Sequence, residues 1–177
     1  SPVTSAFSNV DAPKSNENLY AHRDLAEEWI QSGKLFKAAP HIEKVFDDFS
    51  EDSSFVKKAA QLWLDVGEYA KAERAAEIGL RLAPESPILR SIDVLSRYRQ
   101  GRVDEAMELN QQYLTEFPEQ EELITTLGTM QIEQYPKSSL GEHTLKRALA
   151  KNPIYFPAHY HLGRKHQLMG NFLDAKT

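Results

Sequence analysis

The stretch Gly67-Glu68-Tyr69-Ala70-Lys71-Ala72 decides the fold, because its order of glycine, apolar residue and alanine recurs along the chain at one spacing. Two copies flank it at a distance of 34 residues: Gly33-Lys34-Leu35-Phe36-Lys37-Ala38 and Gly101-Arg102-Val103-Asp104-Glu105-Ala106. Pro84 and Pro118 follow the same period, and a later copy starts at Gly170, two periods and one residue beyond Gly101. A constant period of this length is the signature of a protein built from structural repeats.

Each period predicts two helices, because apolar residues recur at helical spacing before and after the glycine, as Leu25 and Trp29 do before Gly33. The glycine lacks a Cβ and is suited to the left-handed turn that ends the first helix. The alanine is small enough to lie where two helices cross closely, and the proline ends the second helix. The predicted turn glycines and crossing alanines are Gly33, Gly67, Gly101 and Gly170, and Ala38, Ala72 and Ala106.

This pattern resembles the tetratricopeptide repeat from about residue 19 to residue 177. The family's small residue on the first helix is matched by Ala26, Ala60, Gly128 and Gly163, and the aromatic residue that follows by Trp29 and Trp63. The two tryptophans recur at the repeat period, so we expect them to pack between helices. The resemblance implies an all-α, right-handed solenoid of stacked antiparallel helix pairs, a TPR-like superhelix.

The predicted organisation is a flexible amino-terminal tail followed by a solenoid. Residues 1–17 are rich in Ser, Asn and Pro and poor in apolar residues, which is typical of a mobile tail. The predicted repeats lie approximately at 19–52, 53–86, 87–120 and 121–155, with an incomplete fifth at 156–177. Because a solenoid needs a cap over its last apolar face, we expect this chain to be a fragment of a longer protein.

The third and fourth repeats depart from the pattern. In the third, Asp93 and Arg97 stand at apolar positions, which predicts a one-residue shift that turns Val94, Leu95 and Tyr98 inward and shortens the turn. In the fourth, Pro136 stands near the glycine position and one residue is added. There we expect the second helix to begin at Ser139, with Glu142 completing a capping box.

Composition limits the classes of function. The chain has no cysteine, so disulfides, thiolate metal sites and cysteine nucleophiles are excluded. The net charge of -5 argues against a nucleic-acid partner, although the amino end is acidic and the carboxyl end mildly basic. No apolar run approaches the roughly 18 residues of a membrane span. We expect a soluble protein, cytoplasmic or periplasmic.

No catalytic motif is found, and no cofactor or metal is expected. His159 and His166 share a helical face, and the resemblance to the repeat family favours packing between helices over metal binding there. His22, His41 and His143 are scattered. The acidic run from Asp47 to Asp52 lacks the spacing of a calcium loop and is interpreted as a solvated helix end and link.

The concave face of such a solenoid is lined by the first helix of each pair and is the expected binding surface for a peptide or a partner helix. Its predicted residues are Tyr20, Arg23, Glu27, Lys57, Gln61, Asp65, Ile88, Ile92, Arg99, Thr125, Thr129, Tyr160 and Arg164. Basic residues around an apolar middle favour a partner with an apolar centre and some acidic character. The alternative is that these residues are merely solvated and the partner binds elsewhere.

Some members of the family grip acidic carboxyl termini of chaperones with a clamp of Lys, Asn and Arg residues. Counted from Lys57, the asparagine positions of that clamp fall on Gln61 and Ile92, and its last Lys/Arg pair falls on Glu122 and Thr126. The residues of the clamp are therefore absent from the sequence.

The leading hypothesis is a non-catalytic scaffold or adaptor module that binds a protein or peptide in its groove. One alternative is the repeat segment of a larger enzyme, such as a glycosyl-, sulfo- or methyltransferase, or of a secretion or pilus assembly factor. A further alternative is self-association through the unfinished carboxyl-terminal repeat.

Overall fold

The computed structural model describes residues 16–174, and all of the regular secondary structure in that range is helical. The helices are α1 (Asn16–Gln31), α2 (Leu35–Val45), α3 (Ser53–Asp65), α4 (Tyr69–Leu82), α5 (Pro87–Arg99), α6 (Val103–Glu116), α7 (Glu121–Gln134), α8 (Leu140–Lys151) and α9 (Phe156–Asp174), with a short 3-10 helix at Asp47–Phe49. The predicted all-α repeat fold is confirmed. Residues 1–15 of the predicted tail lie outside the described range, and α1 begins two residues inside that tail.

The chain divides into two compact units, one containing α1 and α2 and the other containing α3 to α9. In the first unit α1 packs against α2. His22 and His41, which are scattered in the sequence, come together there with 2.9 Å between their Nδ1 atoms. Trp29 is half-buried, and its ring centre lies 5.0 Å from the ammonium group of Lys34 and 4.9 Å from that of Lys37.

In the second unit the helices follow one another as antiparallel pairs, and each helix packs against the helices next to it in the chain. The small residues Ala60, Ala72 and Ala106 are fully buried, and Trp63 is buried as expected. Two of the helices have side-chain caps. The Asp52 carboxylate accepts from the backbone N–H of Phe55 at the start of α3, and the Ser86 hydroxyl accepts from that of Leu89 at the start of α5.

Three turns between paired helices have the same geometry. Gly33, Gly67 and Gly101 have φ of 71°, 84° and 84°, the left-handed region that glycine enters without steric cost. In each turn the residue after the glycine donates its backbone N–H to the carbonyl five residues earlier, at 2.8 Å for Glu68 and 3.1 Å for Arg102. This is the hydrogen-bond pattern of a Schellman motif.

The shorter third turn predicted from the sequence is therefore wrong. The turn at Gly101 matches the one at Gly67. Val94 and Tyr98 are buried as predicted, but Asp93 is buried beside them, so α5 keeps the unshifted register. Leu95 is half-buried on a different face. The register is retained because Asp93 and Arg97 neutralise each other inside the packing between α4, α5 and α6, so that they need not turn outward.

The capping box predicted for the fourth repeat is also wrong. Helix α8 follows Ser139, but this residue has helical dihedral angles (φ −80°, ψ −3°) and its side chain makes no capping hydrogen bond. The Glu142 carboxylate instead contacts Lys146 at 2.7 Å and Lys165 at 3.2 Å. Two lysines compete more strongly for that carboxylate than one backbone N–H does.

The last described helix differs from the expected fifth repeat. Helix α9 continues through Gly170 without the predicted turn, and the end of the predicted copy at residue 175 lies outside the described range. His159 and His166 are exposed and do not pack between helices as predicted. His159 Nε2 lies 2.7 Å from the carbonyl oxygen of Pro153. Among the described residues no second helix follows α9, so within that range no helix packs on this face or holds a reversal at Gly170.

Acid is expected to weaken the packing of α8 against α9 through Glu142. Hydrogen bonds from Lys146 and Lys165 and their charges lower the pKa of Glu142 from its ordinary 4.5 to about 2. A carboxyl whose pKa is lower in the folded chain contributes stability above pH 4.5, and that contribution is lost as the pH falls toward 2. We expect the thermal unfolding midpoint, followed by circular dichroism, to fall over this range.

Glu142→Gln is expected to make that decline with pH shallower. Glu108→Gln is the matched control, because Glu108 is exposed and has no ion pair among the described residues. Equal pH dependence of the native chain and Glu142→Gln would show that the two lysine contacts contribute nothing to acid sensitivity.

Candidate binding groove of the second unit

The predicted groove residues of α1 belong to the first unit and are described there alone. Arg23 Nε lies 3.7 Å from a carboxylate oxygen of Glu27, and its guanidinium carbon lies 4.9 Å from the centre of the Phe49 ring. Tyr20 is exposed and meets the same ring edge-on, with 5.3 Å between ring centres. The positive charge predicted at Arg23 is thus partly compensated by its own helix.

The second unit contains a groove between the first helices of its pairs, α3, α5, α7 and α9, which we call the α3–α9 groove. It contains a cavity of about 180 Å³. Five of the residues predicted from the sequence line it, namely Gln61, Ile88, Ile92, Thr125 and Thr129. The structure therefore brings together residues from three repeats that lie far apart in the chain.

The remaining predicted residues of this unit lie outside the cavity. Arg164 lines a small adjoining depression together with Glu133 and His161. The others are partly or largely exposed and do not line the cavity; they are Lys57, Asp65, Arg99 and Tyr160. The Asp65 carboxylate accepts from Gln61 Nε2 at 2.9 Å, and burial raises the pKa of this carboxyl.

Sequence reasoning missed Ser91 and Leu95, which line the cavity from α5. They lie one period after Lys57 and Gln61 and one period before Thr125 and Thr129, so the repeat spacing alone would have identified them. The register shift predicted for the third repeat assigned other residues of α5 to the groove, so Ser91 and Leu95 were left out.

Other lining residues have no such signal. Tyr155, Pro157 and His161 form the wall at the α9 end, and Leu64 lines the α3 end. The added residue of the fourth repeat lies between α7 and α8, ahead of Tyr155, Pro157 and His161. The 34-residue spacing therefore no longer locates these three side chains.

The floor of the cavity carries side-chain hydroxyl groups. Ser91 Oγ lies 2.7 Å from Thr126 Oγ1, and Thr126 donates to the carbonyl of Glu122 at 2.7 Å. Thr129 donates to the carbonyl of Thr125 at 2.9 Å. Thr125 itself is only 5% exposed, and its hydroxyl has no hydrogen-bond partner among the described residues.

The α5 wall of the cavity is mainly apolar. Ile88 is 40% exposed at the rim, and Ile92 and Leu95 continue the same side. On the opposite side, burial and then the charge of Arg164 lower the pKa of His161, so this imidazole is neutral at pH 7. Burial, with the nearby charges of Glu122 and Glu121, raises the pKa of Tyr155 to about 12.

The positive charge predicted at Arg99 is neutralised by an ion pair. Its guanidinium donates to both carboxylate oxygens of Glu133, at 2.6 and 3.0 Å. This two-point geometry is the strongest form of the Arg–carboxylate contact. The acidic partner predicted from the sequence therefore has less basic surface to meet around the cavity than the sequence alone indicates.

Nowhere in residues 16–174 do three histidine, aspartate or glutamate side chains gather at a distance suited to one metal ion. None of the helices in the same range combines the length and the apolar character that crossing a membrane requires.

Comparison with known proteins agrees with the fold. The model of the tetratricopeptide-repeat family matches residues 57–121. No curated protein sequence matches the chain.

Three solved structures illustrate the fold. MamA from Desulfovibrio magneticus RS-1, residues 41 to the end, is 14% identical, with a TM-score of 0.57 over 89% of each chain. YrrB, titled a TPR protein with an unusual peptide-binding site, is 15% identical, with a TM-score of 0.53 over 89% of this chain and 80% of its own. The first TPR domain of human RPAP3 is 15% identical, with a TM-score of 0.52 over 69% of this chain and 95% of its own. At these identities the likeness shows the fold alone.

Proposed function

Since the chain is a tetratricopeptide-repeat protein, matched to the family over residues 57–121, we propose that it is a non-catalytic interaction module that holds a segment of another protein in the α3–α9 groove. The observation that carries this proposal is the groove itself, an open surface lined by four helices of successive repeats. A segment lying across those helices meets side chains from each repeat at once.

The physical argument rests on the groove being formed before any partner arrives. The helices that carry it are fixed by buried core residues such as Leu89, Leu123 and Leu145. A preformed surface avoids the entropic cost of ordering loops on binding, so many modest contacts suffice for affinity. The apolar wall of Ile88 and Leu95 supplies burial for a partner side chain, and the hydroxyl-lined floor supplies polar contacts.

The fold of YrrB supports the same proposal, since that protein is titled as binding a peptide. The absence of a catalytic motif from the sequence favours binding over turnover. Lys57 and Arg164 lie beside the groove with exposed side chains, where they contribute long-range attraction more than tight contacts.

A blocking substitution tests this proposal. Random 12-residue peptides displayed on an array identify binders of the native chain, and fluorescence polarisation then gives their Kd. Leu95→Arg places a long charged side chain in the groove and is expected to weaken binding at least about tenfold. Leu82→Arg is the matched control, because Leu82 is an exposed leucine on α4, a helix that does not line the groove.

Charge reversal at Lys57 or Arg164 is expected to slow association of acidic peptides, with a smaller effect on dissociation. If the peptides bind Leu95→Arg as tightly as they bind the native chain, the binding surface lies outside this groove.

A further inference from the structure

Thr125 differs from its neighbours in the floor of the α3–α9 groove. Thr126 and Thr129 each donate to the carbonyl four residues earlier in α7, whereas the Thr125 hydroxyl has no partner among the described residues. Native proteins satisfy nearly all of their buried polar groups. Thr125 is 5% exposed and lines a cavity of about 180 Å³, and its buried hydroxyl has no partner among the described residues, so we look to a group supplied from outside to satisfy it.

The hydrogen bonds of the floor determine which chemistry that group must have. Each hydroxyl carries one donor and two acceptor lone pairs. Thr126 gives its proton to the Glu122 carbonyl, so Ser91 must donate to Thr126 across their 2.7 Å contact. Thr129 gives its proton to the Thr125 carbonyl. The lone pairs of Ser91 and Thr129 therefore remain free, and Thr125 keeps both its proton and its lone pairs.

We propose that this cavity binds one side-chain carboxamide, from an asparagine or glutamine of the bound segment. The inference rests on the proposed function and names the chemistry that the groove recognises. A carboxamide brings an NH₂ group and a carbonyl oxygen. The NH₂ donates to the free lone pairs of the floor, and the carbonyl oxygen accepts from the Thr125 hydroxyl.

Charged side chains match the floor less well. A carboxylate brings only acceptors, so it meets the lone pairs of the floor and the Glu122 carboxylate unfavourably. The neutral His161 offers no positive charge to compensate. An ammonium group can approach Glu122, but it carries no acceptor for the Thr125 proton and loses its hydration in the cavity.

The size of the cavity agrees with a single side chain. Pockets for drug-sized ligands have volumes of about 300–1,000 Å³, above the 180 Å³ here. Ile92, Leu95 and Pro157 line it with apolar surface, against which the methylene groups of an asparagine or glutamine pack. The charge of Arg99 is already engaged by Glu133 and does not select an anion at this position.

Three small probes of matched size test the chemistry at pH 7: propionamide, propionate and propylammonium. Amide chemical shifts of the ¹⁵N-labelled chain are followed during titration of each probe. Propionamide is expected to shift the signals of Ser91 and Thr125 and to bind at least about fivefold more tightly than either charged probe. Equal or tighter binding of propionate or propylammonium overturns the inference.

Substitutions assign the effect to the hydroxyl. Thr125→Val keeps the shape of the side chain and is expected to weaken propionamide binding at least about fivefold, whereas Thr125→Ser keeps the hydroxyl and the affinity. Thr115→Val is the control for removing a threonine hydroxyl away from the cavity, because Thr115 lies exposed on α6 and donates to the Gln111 carbonyl of its own helix. Propionamide binding that is unchanged in Thr125→Val contradicts the inference.

The peptides selected on the array separate this inference from the proposed function. Replacing their asparagine or glutamine by leucine is expected to lower affinity at least about tenfold for the native chain and less than twofold for Thr125→Val. If Leu95→Arg abolishes peptide binding but no bound peptide depends on a carboxamide, the proposed function stands and the carboxamide site is wrong. If Leu95→Arg leaves peptide binding intact, the proposed function itself is wrong.

Discussion

Gly141→Ala is expected to destabilise the chain by about 3 kcal/mol, because α7 and α8 cross where the backbones are nearly in contact. A Cβ at this position would lie 2.6 Å from Ile132 Cγ1, 2.8 Å from the Ile132 backbone nitrogen and 2.9 Å from the Gly128 carbonyl oxygen. Two of these three atoms belong to backbone, so no change of rotamer relieves the overlap. The two helices must separate, and the free energy of unfolding from urea titrations followed by circular dichroism reports the loss.

Two other glycines provide graded controls for that substitution. A Cβ at Gly128 would meet Leu145 side-chain atoms at 2.6 and 2.7 Å, which can partly move, so Gly128→Ala is expected to cost less than Gly141→Ala. A Cβ at Gly163, inside α9, would meet no neighbouring atom within 4 Å, so Gly163→Ala is expected to stabilise the helix by about 1 kcal/mol. If all three variants unfold at the same urea concentration, close approach of α7 and α8 does not limit stability.

Gly141 also marks a limit of prediction from the repeat period. The alanines at 38, 72 and 106 stand at the crossing of each earlier helix pair, and all three are fully buried. Gly141 lies 35 residues after Ala106, because the fourth repeat carries one added residue. The period identified the fold, the turns at Gly67 and Gly101 and the small residue at Gly128. It could not identify a glycine displaced from register by an insertion.

The groove residues could be predicted wherever the 34-residue spacing is kept. Gln61, Thr125 and Thr129 follow from the spacing of first helices, and Ser91 and Leu95 follow from the same spacing once the third repeat is left unshifted. The unpartnered hydroxyl of Thr125 could not be predicted. Whether a threonine bonds to its own helix depends on side-chain rotamer and on neighbouring helices, which sequence spacing does not encode.

The third repeat shows why polar residues at apolar positions are hard to interpret from sequence. Asp93 is 4% exposed, and it contacts Arg97 and accepts from the Tyr113 hydroxyl at 2.7 Å. Arg97 also reaches carboxylates on other helices, at 3.0 Å for Glu77 and Glu105. These partners lie on α4 and α6. The charge of Arg97 inside the packing is therefore balanced by residues of other helices, and this keeps α5 in register. Local pattern alone favours the shift that was predicted from the sequence.

Arg97→Leu is therefore expected to destabilise the chain by about 3–5 kcal/mol, the range for removing one partner of a buried ion pair. The Asp93 carboxylate would remain buried with only the Tyr113 hydroxyl to stabilise its charge. Glu73, at 3.5 Å from Arg97, and the other glutamates around it would lose their common cation. Urea titration of the variant against the native chain measures the difference.

The double variant Asp93→Ala/Arg97→Leu distinguishes a buried charge from a loss of packing. It removes both charges and returns the positions toward the apolar pattern of the second repeat, where Ala59 and Trp63 stand. We expect it to recover about 1–3 kcal/mol of the loss caused by Arg97→Leu alone, the usual coupling energy of residues in contact. Lys151→Leu, which breaks an exposed pair with Glu119, should leave the unfolding midpoint nearly unchanged. A double variant no more stable than Arg97→Leu would mean that the aliphatic part of Arg97, and not its charge, holds α5 in register against α4 and α6.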